Sequence, residues 1–411
     1  MYVDLRKDLT DEQKALKEQV HAFARDVMRP ASIALDKMTP EETIAEGSPM
    51  WHVFQRAYED GYHLRNFPEV LGGSHMGPLE SHIVNEEMGW GSAGLAIALA
   101  VTSFPFAFAA GRRDPQLMEE IVMPFCEDRQ GRYIGCWAIT EPGHGSDTLM
   151  PGTQYFTNPD IQYGLNATLD GDEYVLNGQK SAWVSNGTIA THALAFLGVD
   201  RARGMAGGGV AIVPLNLPGV TKGAPLNKIG QRALNQGEIF FDNVRIPKSY
   251  MLAPPEAYVG TIDAVLAGAN AYMGSTFTGV ARAAFEEALT YAKGRIQGGT
   301  PITEHQLVQK KLFDMFVKVE AARQLSRATV LYNSGTYPPG TQYSISSKVF
   351  CTQTAFEVAS DAIQLHGGMG LTKEMLVEML FRDARASMIE DGSNDILSLT
   401  AARKIIDQYV P

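Results

Sequence analysis

The chain has 411 residues, of which 45% are hydrophobic, and its net charge is −11. This length exceeds what one small hydrophobic core serves, so we expect two or three domains. The 46 acidic residues outnumber the 35 basic ones, which argues against a nucleic-acid partner. Three widely spaced cysteines and no paired Cys or His spacing predict a cytoplasmic protein without a structural metal. No apolar signal region and no apolar stretch of membrane-spanning length is recognised, so we expect no membrane association.

Residues 1–133 are predicted to form an N-terminal helical domain. Thr10-Asp11-Glu12-Gln13 has the form of a capping box, which starts a helix. Pro30 is expected to end that helix, because proline lacks the N–H that a helix interior needs. The Ala-rich stretch from Val84 to Ala110 is typical of a buried helix.

Residues 134–248 are predicted to form a small antiparallel β domain, because β-rich runs alternate there with Gly, Asn and Asp. Residues 249–411 are predicted to be helical again. Within them, Thr303-Glu304-His305-Gln306 has the form of a second capping box, and a later helix is expected from about Ser346 to Leu365. The expected strands cover Tyr133–Ile139, Glu173–Leu176, His192–Val199, Val210–Pro214 and Glu238–Phe241.

Two segments of the β region combine turn residues with an aromatic or hydroxyl side chain. The first leads from a strand-like run into Thr140-Glu141-Pro142-Gly143 and then Gly145-Ser146-Asp147, which offers N–H groups and hydroxyls to an anionic or planar ligand. The second is Asn177 to Gly187, where Trp183 provides an aromatic wall and Ser185 a hydroxyl. The alternatives are an ordinary Pro-Gly turn between two strands for the first segment and a hairpin with an ordinary buried Trp for the second.

Two further segments lie in the C-terminal helical region. Tyr291 to Ile302 contains Arg295, whose planar guanidinium pairs bidentately with phosphate oxygens. Gln364-Leu365-His366-Gly367-Gly368 contains glycines, which let a backbone approach a cofactor closely. The alternatives are a solvated arginine at a helix end and a simple glycine cap.

In this order the four segments resemble the acyl-CoA dehydrogenase family over nearly the whole chain. The resemblance implies an α+β fold with an N-terminal helical domain, a middle antiparallel β domain and a C-terminal four-helix-bundle domain. It also implies FAD as the cofactor. Two departures from the family pattern are an extra residue between Lys180 and Trp183, and Gly298 where Phe is usual. The residues that the resemblance assigns to FAD, in one subunit or from its neighbour, are Trp137, Ile139, Thr140, Gly145, Ser146, Trp183, Ser185, Arg295, Gln297, Gln364, Gly367, Gly368, Ser393 and Asp395.

The segment Arg382 to Ile396 resembles the part of the family that carries the catalytic base, a Glu before Gly-Thr. Aligned through its Ile and Gly residues, that position is Asp391, and the usual Tyr before it is Glu390. A carboxylate there would take the α-proton of an acyl thioester while the β-hydride leaves to the flavin. Glu390 is the alternative base, and an acidic loop without a catalytic role is the other. The base position that some relatives use on an earlier helix falls near Ala269, and a neighbouring family Arg corresponds to Asn270.

The resemblance predicts an FAD-dependent oxidoreductase that desaturates an acyl-CoA between Cα and Cβ, with an unusual acyl group because the base is altered. It further implies a homotetramer and an electron-transfer flavoprotein as oxidant. The alternatives are a flavoenzyme of the same fold with other chemistry, such as a nitroalkane oxidase or a desulfinase of sulfinated acyl-CoAs, and a non-catalytic relic that binds flavin or acyl-CoA. Residues 150–166 resemble an insertion that either reshapes the mouth of the site or is a neutral surface loop.

Overall fold

The computed structural model describes residues 9–409. Its first part is helical, and the predicted capping box is confirmed: the N–H of Gln13 donates to the Thr10 hydroxyl at 3.2 Å, and the Thr10 N–H donates to Gln13 Oε1 at 3.1 Å. The helices are α1 (Asp11–Phe23), α2 (Arg29–Leu35), α3 (Pro40–Ile44), α4 (Pro49–Glu59), α5 (Pro78–Gly91), α6 (Ala93–Thr102), α7 (Phe104–Arg112), α8 (Pro115–Leu117) and α9 (Met123–Glu127).

The first helix does not end at Pro30, so that prediction was wrong. A π-helical segment, Ala24–Met28, follows α1 and leads directly into α2, and Pro30 lies in the first turn of α2. An α-helical turn at this point would lose one hydrogen bond and place the proline ring against the carbonyl four residues earlier. The wider π turn avoids this conflict, and the chain continues as a helix to Leu35.

One apolar stretch does reach membrane-spanning length, so the expectation that none would was wrong. Ala93–Arg112 is long and apolar enough, by length and composition alone, to cross a membrane. In the structure it is divided into α6 and α7, which meet at Ser103 just before Pro105, and 61% of the apolar window is buried inside the protein. The stretch therefore packs as a pair of core helices.

The middle part of the described chain is a sheet of eight strands, which are β1 (Gly135–Ala138), β2 (Asn166–Asp170), β3 (Glu173–Ser185), β4 (His192–Gly198), β5 (Gly208–Pro214), β6 (Val220–Lys222), β7 (Gln236–Pro247) and β8 (Met251–Ala253). The strand order is β6-β7-β3-β1-β4-β5-β8, and β2 pairs with both β3 and β4. Most pairs are antiparallel, as predicted, but β1 lies parallel to β4, from Gly135 opposite His192 to Ala138 opposite Ala195.

The last part is built on long helices. The predicted capping box at Thr303–Gln306 was wrong: Ile302–Glu304 is a 3₁₀ turn, and His305 precedes the helix without a side-chain cap. The elements are α10 (Pro255–Gly294), the hairpin strands β9 (Ile296–Gln297) and β10 (Thr300–Pro301), then α11 (Gln306–Ser334), α12 (Thr341–His366), α13 (Leu376–Ser387) and α14 (Asn394–Gln408).

Small residues on α10 bring this helix close to its neighbours. A Cβ on Gly274 would lie 2.1 Å from the Ser347 hydroxyl of α12, and a Cβ on Gly279 would lie 2.0 Å from the Glu86 carbonyl of α5. Only glycine permits these approaches. The helix therefore joins the N-terminal and C-terminal helices behind the sheet, and the predicted three-part α+β fold is confirmed. The limits at residues 133 and 248 stay predictions.

Candidate active site

Asp391 lies in the tight turn between α13 and α14. Its φ is +53°, and Gly392 follows with a φ of +97°, so the backbone reverses within two residues. The Ser393 hydroxyl caps α14 by accepting from the Ile396 N–H at 3.4 Å. The buried ammonium of Lys348, on α12, donates to the Gly392 carbonyl at 2.7 Å and to Asn394 Oδ1 at 2.8 Å. A buried cation therefore fixes the turn that carries Asp391.

The two carboxyl groups of this turn have different partners. Glu390 accepts a hydrogen bond from the side-chain amide of Gln231. The backbone of Gln231 is in turn fixed, because its N–H donates to Asp383 Oδ1 at 2.5 Å. Asp391 makes no hydrogen bond or ion pair with any residue from 9 to 409. The Glu390 carboxylate therefore has a partner in Gln231, on the loop between β6 and β7, whereas the Asp391 carboxylate is free to take a proton.

Burial raises the pKa of both acids. It raises the pKa of Asp391 to about 6, although the charge of Lys348 opposes the rise. Burial and then the charge of Asp391 raise the pKa of Glu390 to about 7, against the Gln231 hydrogen bond. Burial also lowers the pKa of Lys348 to about 8. A carboxyl group whose pKa lies near neutrality is suited to exchange protons at physiological pH.

The first glycine-rich turn lies beside this loop. Trp137 is on β1, Ile139 and Thr140 follow the strand, and Glu141 and His144 close a tight turn through two backbone hydrogen bonds of 2.9 and 3.1 Å. The next two residues of the motif, Gly145 and Ser146, start the 3₁₀ turn Ser146–Leu149. The Ser146 hydroxyl accepts from the Ser393 N–H at 3.0 Å. This hydrogen bond joins the turn of the first motif to the loop of Asp391.

The second motif meets the first across the sheet. Ser185 on β3 pairs with Trp137 on β1, and the Thr140 carbonyl accepts from the Ser181 N–H at 2.9 Å. The register of β3 against β7 shifts between Lys180 and Val184, which is where the sequence carries its extra residue. The bulge leaves the side chain of Trp183 58% exposed. Trp137, Thr140, Trp183 and Ser185 are therefore within one small region of the sheet.

Family models of acyl-CoA dehydrogenases match the chain in three successive parts: the N-terminal domain at residues 10–110, the middle domain at 136–244 and the C-terminal domain at 263–406. The chain belongs to the acyl-CoA dehydrogenase family. As in the rest of this family, its cofactor is FAD, and it is an oxidoreductase that acts on CH–CH bonds.

Two curated relatives and one solved structure match this acyl-CoA dehydrogenase over nearly its whole length. It is 31% identical to the probable acyl-CoA dehydrogenase YngJ of Bacillus subtilis, over 97% of this chain and 99% of the relative. It is also 31% identical to the benzylmalonyl-CoA dehydrogenase of Aromatoleum aromaticum, over 97% and 99%. The butyryl-CoA dehydrogenase of Megasphaera elsdenii has the same fold with a TM-score of 0.85 and 25% identity, over 98% and 100% of the two chains.

Several residues of this acyl-CoA dehydrogenase fit a bound flavin. The indole N–H of Trp137 and the hydroxyl of Ser181 are buried without a hydrogen-bond partner among the described residues. Both lie in the region where the two motifs meet, and buried polar groups ordinarily have partners. The exposed ring of Trp183 lies on the same bulged part of β3, where a planar ring can stack on it.

The remaining predicted cofactor residues form a second group at the far ends of α10 and α12. Stacking of Tyr291 on His366, with ring centroids 4.1 Å apart, brings these helix ends together. No hydrogen bond or ion pair among residues 9–409 links the group to Ser146 or Asp391. Asp395 is exposed in the first turn of α14, near Ser393. The members of the second group, all exposed, are Arg295, Gln297, Gln364, Gly367 and Gly368.

Two charged features near the motifs were missed from the sequence, an ion pair and a single lysine. Glu141 and Lys180 form a fully buried ion pair at 2.7 Å, and Glu141 also accepts from the N–H groups of Gly164 and Leu165. This pair fixes the first motif to β3. Lys348 is the other, since it holds the loop of Asp391. A signal was available for Lys348, because it lies among small and apolar residues of a helix, where lysine is buried only with partners.

The earlier-helix positions do not supply a base or hold the loop. Ala269 is buried on α10 and has no titratable group. The Asn270 amide donates to the Leu266 carbonyl of its own helix at 2.9 Å, and no hydrogen bond among residues 9–409 joins it to the turn of Asp391. Lys348 contacts that turn instead, from α12.

Residues 150–166, which resemble an insertion, pack against the body of the protein. Phe156 is fully buried, Gln162 donates to the Arg201 carbonyl at 2.7 Å, and the hydroxyls of Tyr163 and Tyr258 are 2.5 Å apart. A Cβ on Gly204 would lie 2.3 Å from the Asn158 carbonyl. The segment is therefore a fixed part of the sheet's outer layer rather than a free loop.

Proposed function

We propose that Asp391 is the base with which this acyl-CoA dehydrogenase removes the α-proton of its substrate. The observation that carries the proposal is the contrast within the acidic pair: Glu390 is bonded to Gln231, whereas Asp391 has no partner among residues 9–409. The loop of Asp391 is also bonded to the first flavin motif through Ser146 and Ser393. A base in this position would lie beside the flavin that the first motif is proposed to hold.

Asp391 and Lys348 would have separate roles in the removal of the α-proton. Bound FAD supplies the acceptor for the hydride that leaves Cβ. Asp391 receives the α-proton on a carboxylate oxygen, and Lys348 holds its backbone turn in place during the transfer. Ionised Asp391 raises the pKa of Glu390, so protonation of Asp391 lowers that pKa again. The pair therefore holds one proton more readily than two or none.

The substrate is proposed to carry a non-standard acyl group. Asp391 is one methylene shorter than the usual Glu, which moves the carboxylate by about 1–1.5 Å, a distance that matters for proton transfer. Glu390 places a second acid where the family has a tyrosine. Relatives at similar identity include enzymes named for benzylmalonyl-CoA and cyclohex-1-ene-1-carbonyl-CoA. Substituted or cyclic acyl groups are therefore within the range of close relatives.

The enzyme is further proposed to be a cytoplasmic homotetramer that passes electrons to an electron-transfer flavoprotein. The exposed second group, which contains Arg295 and Gln364, supports an assembly in which a neighbour's FAD is bound there. Large apolar side chains exposed on α11 and α12, such as Leu307, Phe313 and Phe350, support contacts between copies. One structure of the same fold comes from work on a bifurcating electron-transferring flavoprotein.

Anaerobic flavin bleaching tests the proposed function. Purified protein with FAD is mixed with acyl-CoAs of several shapes, one at a time, and the flavin absorbance is followed. We expect rapid bleaching by one class of thioester. A yellow protein that no thioester reduces would contradict the proposal, and oxygen uptake with nitroethane would then identify an oxidase. A flavin that is reduced neither by thioesters nor by nitroethane would indicate a non-catalytic protein.

A further inference from the structure

Arg65 is a buried cation without an anionic partner. Arg65 comes directly after the 3₁₀ turn Tyr62–Leu64 in the chain, and it is only 8% exposed. One guanidinium nitrogen donates to Asn85 Oδ1 at 2.6 Å, and another lies 3.6 Å from Met88 Sδ. No carboxylate among residues 9–409 pairs with it. Burial accordingly lowers the pKa of Arg65. A buried charge with neutral partners is costly and is retained where it has a use.

Other buried arginines of the same helical layer do have carboxylate partners. Arg282 lies 2.5 Å from Glu87 Oε2, and Arg323 lies 3.0 Å from Glu86 Oε1. These pairs join α5, α10 and α11. Arg282 and Arg323 therefore each have a glutamate partner, whereas Arg65 has no carboxylate partner among residues 9–409.

Tyr272 belongs to the helix crossing that also carries the partners of Arg65. Tyr272 is on α10, one turn before Thr276, and a Cβ on Gly89 of α5 would lie 2.0 Å from the Thr276 carbonyl. α5 also carries Asn85 and Met88, the partners of Arg65, so Arg65 and Tyr272 lie on either side of this helix crossing. The hydroxyl of Tyr272 is buried without a hydrogen-bond partner among the described residues.

Tyr272 also lies within electrostatic reach of the catalytic pair. Burial raises the pKa of Tyr272 to about 12, the charge of Arg65 opposes this rise, and the charges of Asp391 and Glu390 add to it. Two residues further along α10, a Cβ on Gly274 would lie 2.1 Å from the Ser347 hydroxyl of α12, and the adjacent Lys348 donates to the Gly392 carbonyl at 2.7 Å. Helix α10 therefore connects the surroundings of Arg65 with the turn that carries the proposed base.

We propose that Arg65, assisted by the Tyr272 hydroxyl, binds a carboxylate on the acyl chain, so that the substrate is an acyl-CoA with a second, free carboxyl group. This inference rests on the proposed function. A carboxylate would supply the missing anion, accept two N–H groups of the planar guanidinium and accept the unpartnered phenol hydrogen. An unsubstituted chain would leave the cation buried beside methylenes, which disfavours it.

The test compares thioesters matched in chain length, with and without the terminal carboxyl group. Pentanoyl-CoA is paired with glutaryl-CoA, butyryl-CoA with succinyl-CoA, and hexanoyl-CoA with adipyl-CoA. Affinity is measured from the shift of the flavin spectrum, and the bleaching rate is measured separately. We expect the wild-type enzyme to prefer one carboxylated ester about 10- to 100-fold over its partner, as a charged hydrogen bond would give.

The variant Arg65→Met should lose that preference, while the unsubstituted partner binds as well as before or better. Tyr272→Phe should lose part of the preference for the carboxylated ester, and Arg65→Lys should keep part of that preference. The control is Arg245→Met, which removes an exposed arginine paired with Asp170 at 2.7 Å and should leave the preference intact. The unfolding temperature of Arg65→Met should fall only by what the loss of the buried hydrogen bond to Asn85 Oδ1 costs, because no ion pair is broken. If Arg65→Met does not fold, Arg65→Lys and Tyr272→Phe decide.

The two levels of failure are distinguishable. If no thioester bleaches or perturbs the flavin, the proposed function is wrong. If an unsubstituted ester bleaches the flavin, and the wild-type enzyme either shows no preference within any pair or keeps the same preference in the Arg65 variants, only the carboxylate site is wrong. Preference for the unsubstituted member in all three pairs would overturn the inference as well.

Discussion

Replacement of Lys348 by Met tests how the turn of Asp391 is held and charged. The ammonium donates to the Gly392 carbonyl and to Asn394 Oδ1, at 2.7 and 2.8 Å. Met has nearly the same length and no charge, so the substitution removes both hydrogen bonds and the positive charge. The buried Gly392 carbonyl then loses its donor, and Asn394 Oδ1 keeps only the Thr352 hydroxyl at 3.4 Å, which predicts a loss of roughly 2–3 kcal/mol in the free energy of unfolding.

The same substitution changes the proton affinity of the base, and the sign follows from the charge. Asp391 must be ionised to accept a proton, so the rate of flavin reduction rises with pH through its pKa of about 6. The Lys348 charge lowers that pKa. Its loss moves the rising limb to higher pH, by about one pH unit for a nearby charge. At pH 7 the ionised fraction would fall from about nine tenths to about one half.

The assay is anaerobic stopped-flow bleaching of the flavin between pH 5 and 9, at saturating substrate. The midpoint of the rising limb is compared, because a displaced loop lowers the rate at every pH but does not move the midpoint. Lys318→Met is the matched control: its ion pair with Glu357, at 2.7 Å, is partly exposed and is worth less than about 1 kcal/mol. An unchanged midpoint, or one at lower pH, would refute the role assigned to Lys348.

Two further predictions concern stability. Lys180→Met leaves the buried Glu141 carboxylate without its cation and should cost roughly 3–5 kcal/mol in urea unfolding, whereas Arg245→Met at an exposed pair should cost less than about 1 kcal/mol; equal losses would contradict this. Gly367→Ala places a side chain at φ +59° and ψ −140° and should cost about 1–3 kcal/mol, measured by thermal unfolding. Gly368→Ala has the same open surroundings without a positive φ, so a similar loss there would argue against backbone strain.

The sequence predicted the local features of the fold well, because they depend on neighbouring residues. The capping box at Thr10 and the β-rich runs were confirmed, and so was the three-part fold. Pro30 was misjudged, since a π turn upstream absorbs it, and no residue pattern near Pro30 indicates such a turn. The parallel pairing of β1 with β4 depends on chain topology, which strand composition does not determine.

For the site, the motifs located the cofactor turns, but the contacts between them needed the structure. The hydrogen bond from Ser393 to Ser146 joins residues 247 positions apart, and the Glu390–Gln231 contact joins residues 159 positions apart. Whether Asp391 or Glu390 has a free carboxylate depends on such contacts, so the sequence left both as candidates for the base. Arg65 was not singled out either, because its lack of a carboxylate partner is visible only after folding.

The measurement that most directly tests the proposed base is the rate of anaerobic flavin reduction in Asp391→Asn, beside Glu390→Gln. Both changes preserve shape and remove one acid. With FAD content and substrate affinity retained, Asp391→Asn should reduce its flavin at least about 100-fold more slowly than the wild type, the contribution of a positioned general base. Glu390→Gln should keep most of the rate. A wild-type rate of flavin reduction in Asp391→Asn, or the large loss of rate in Glu390→Gln instead, would contradict the account.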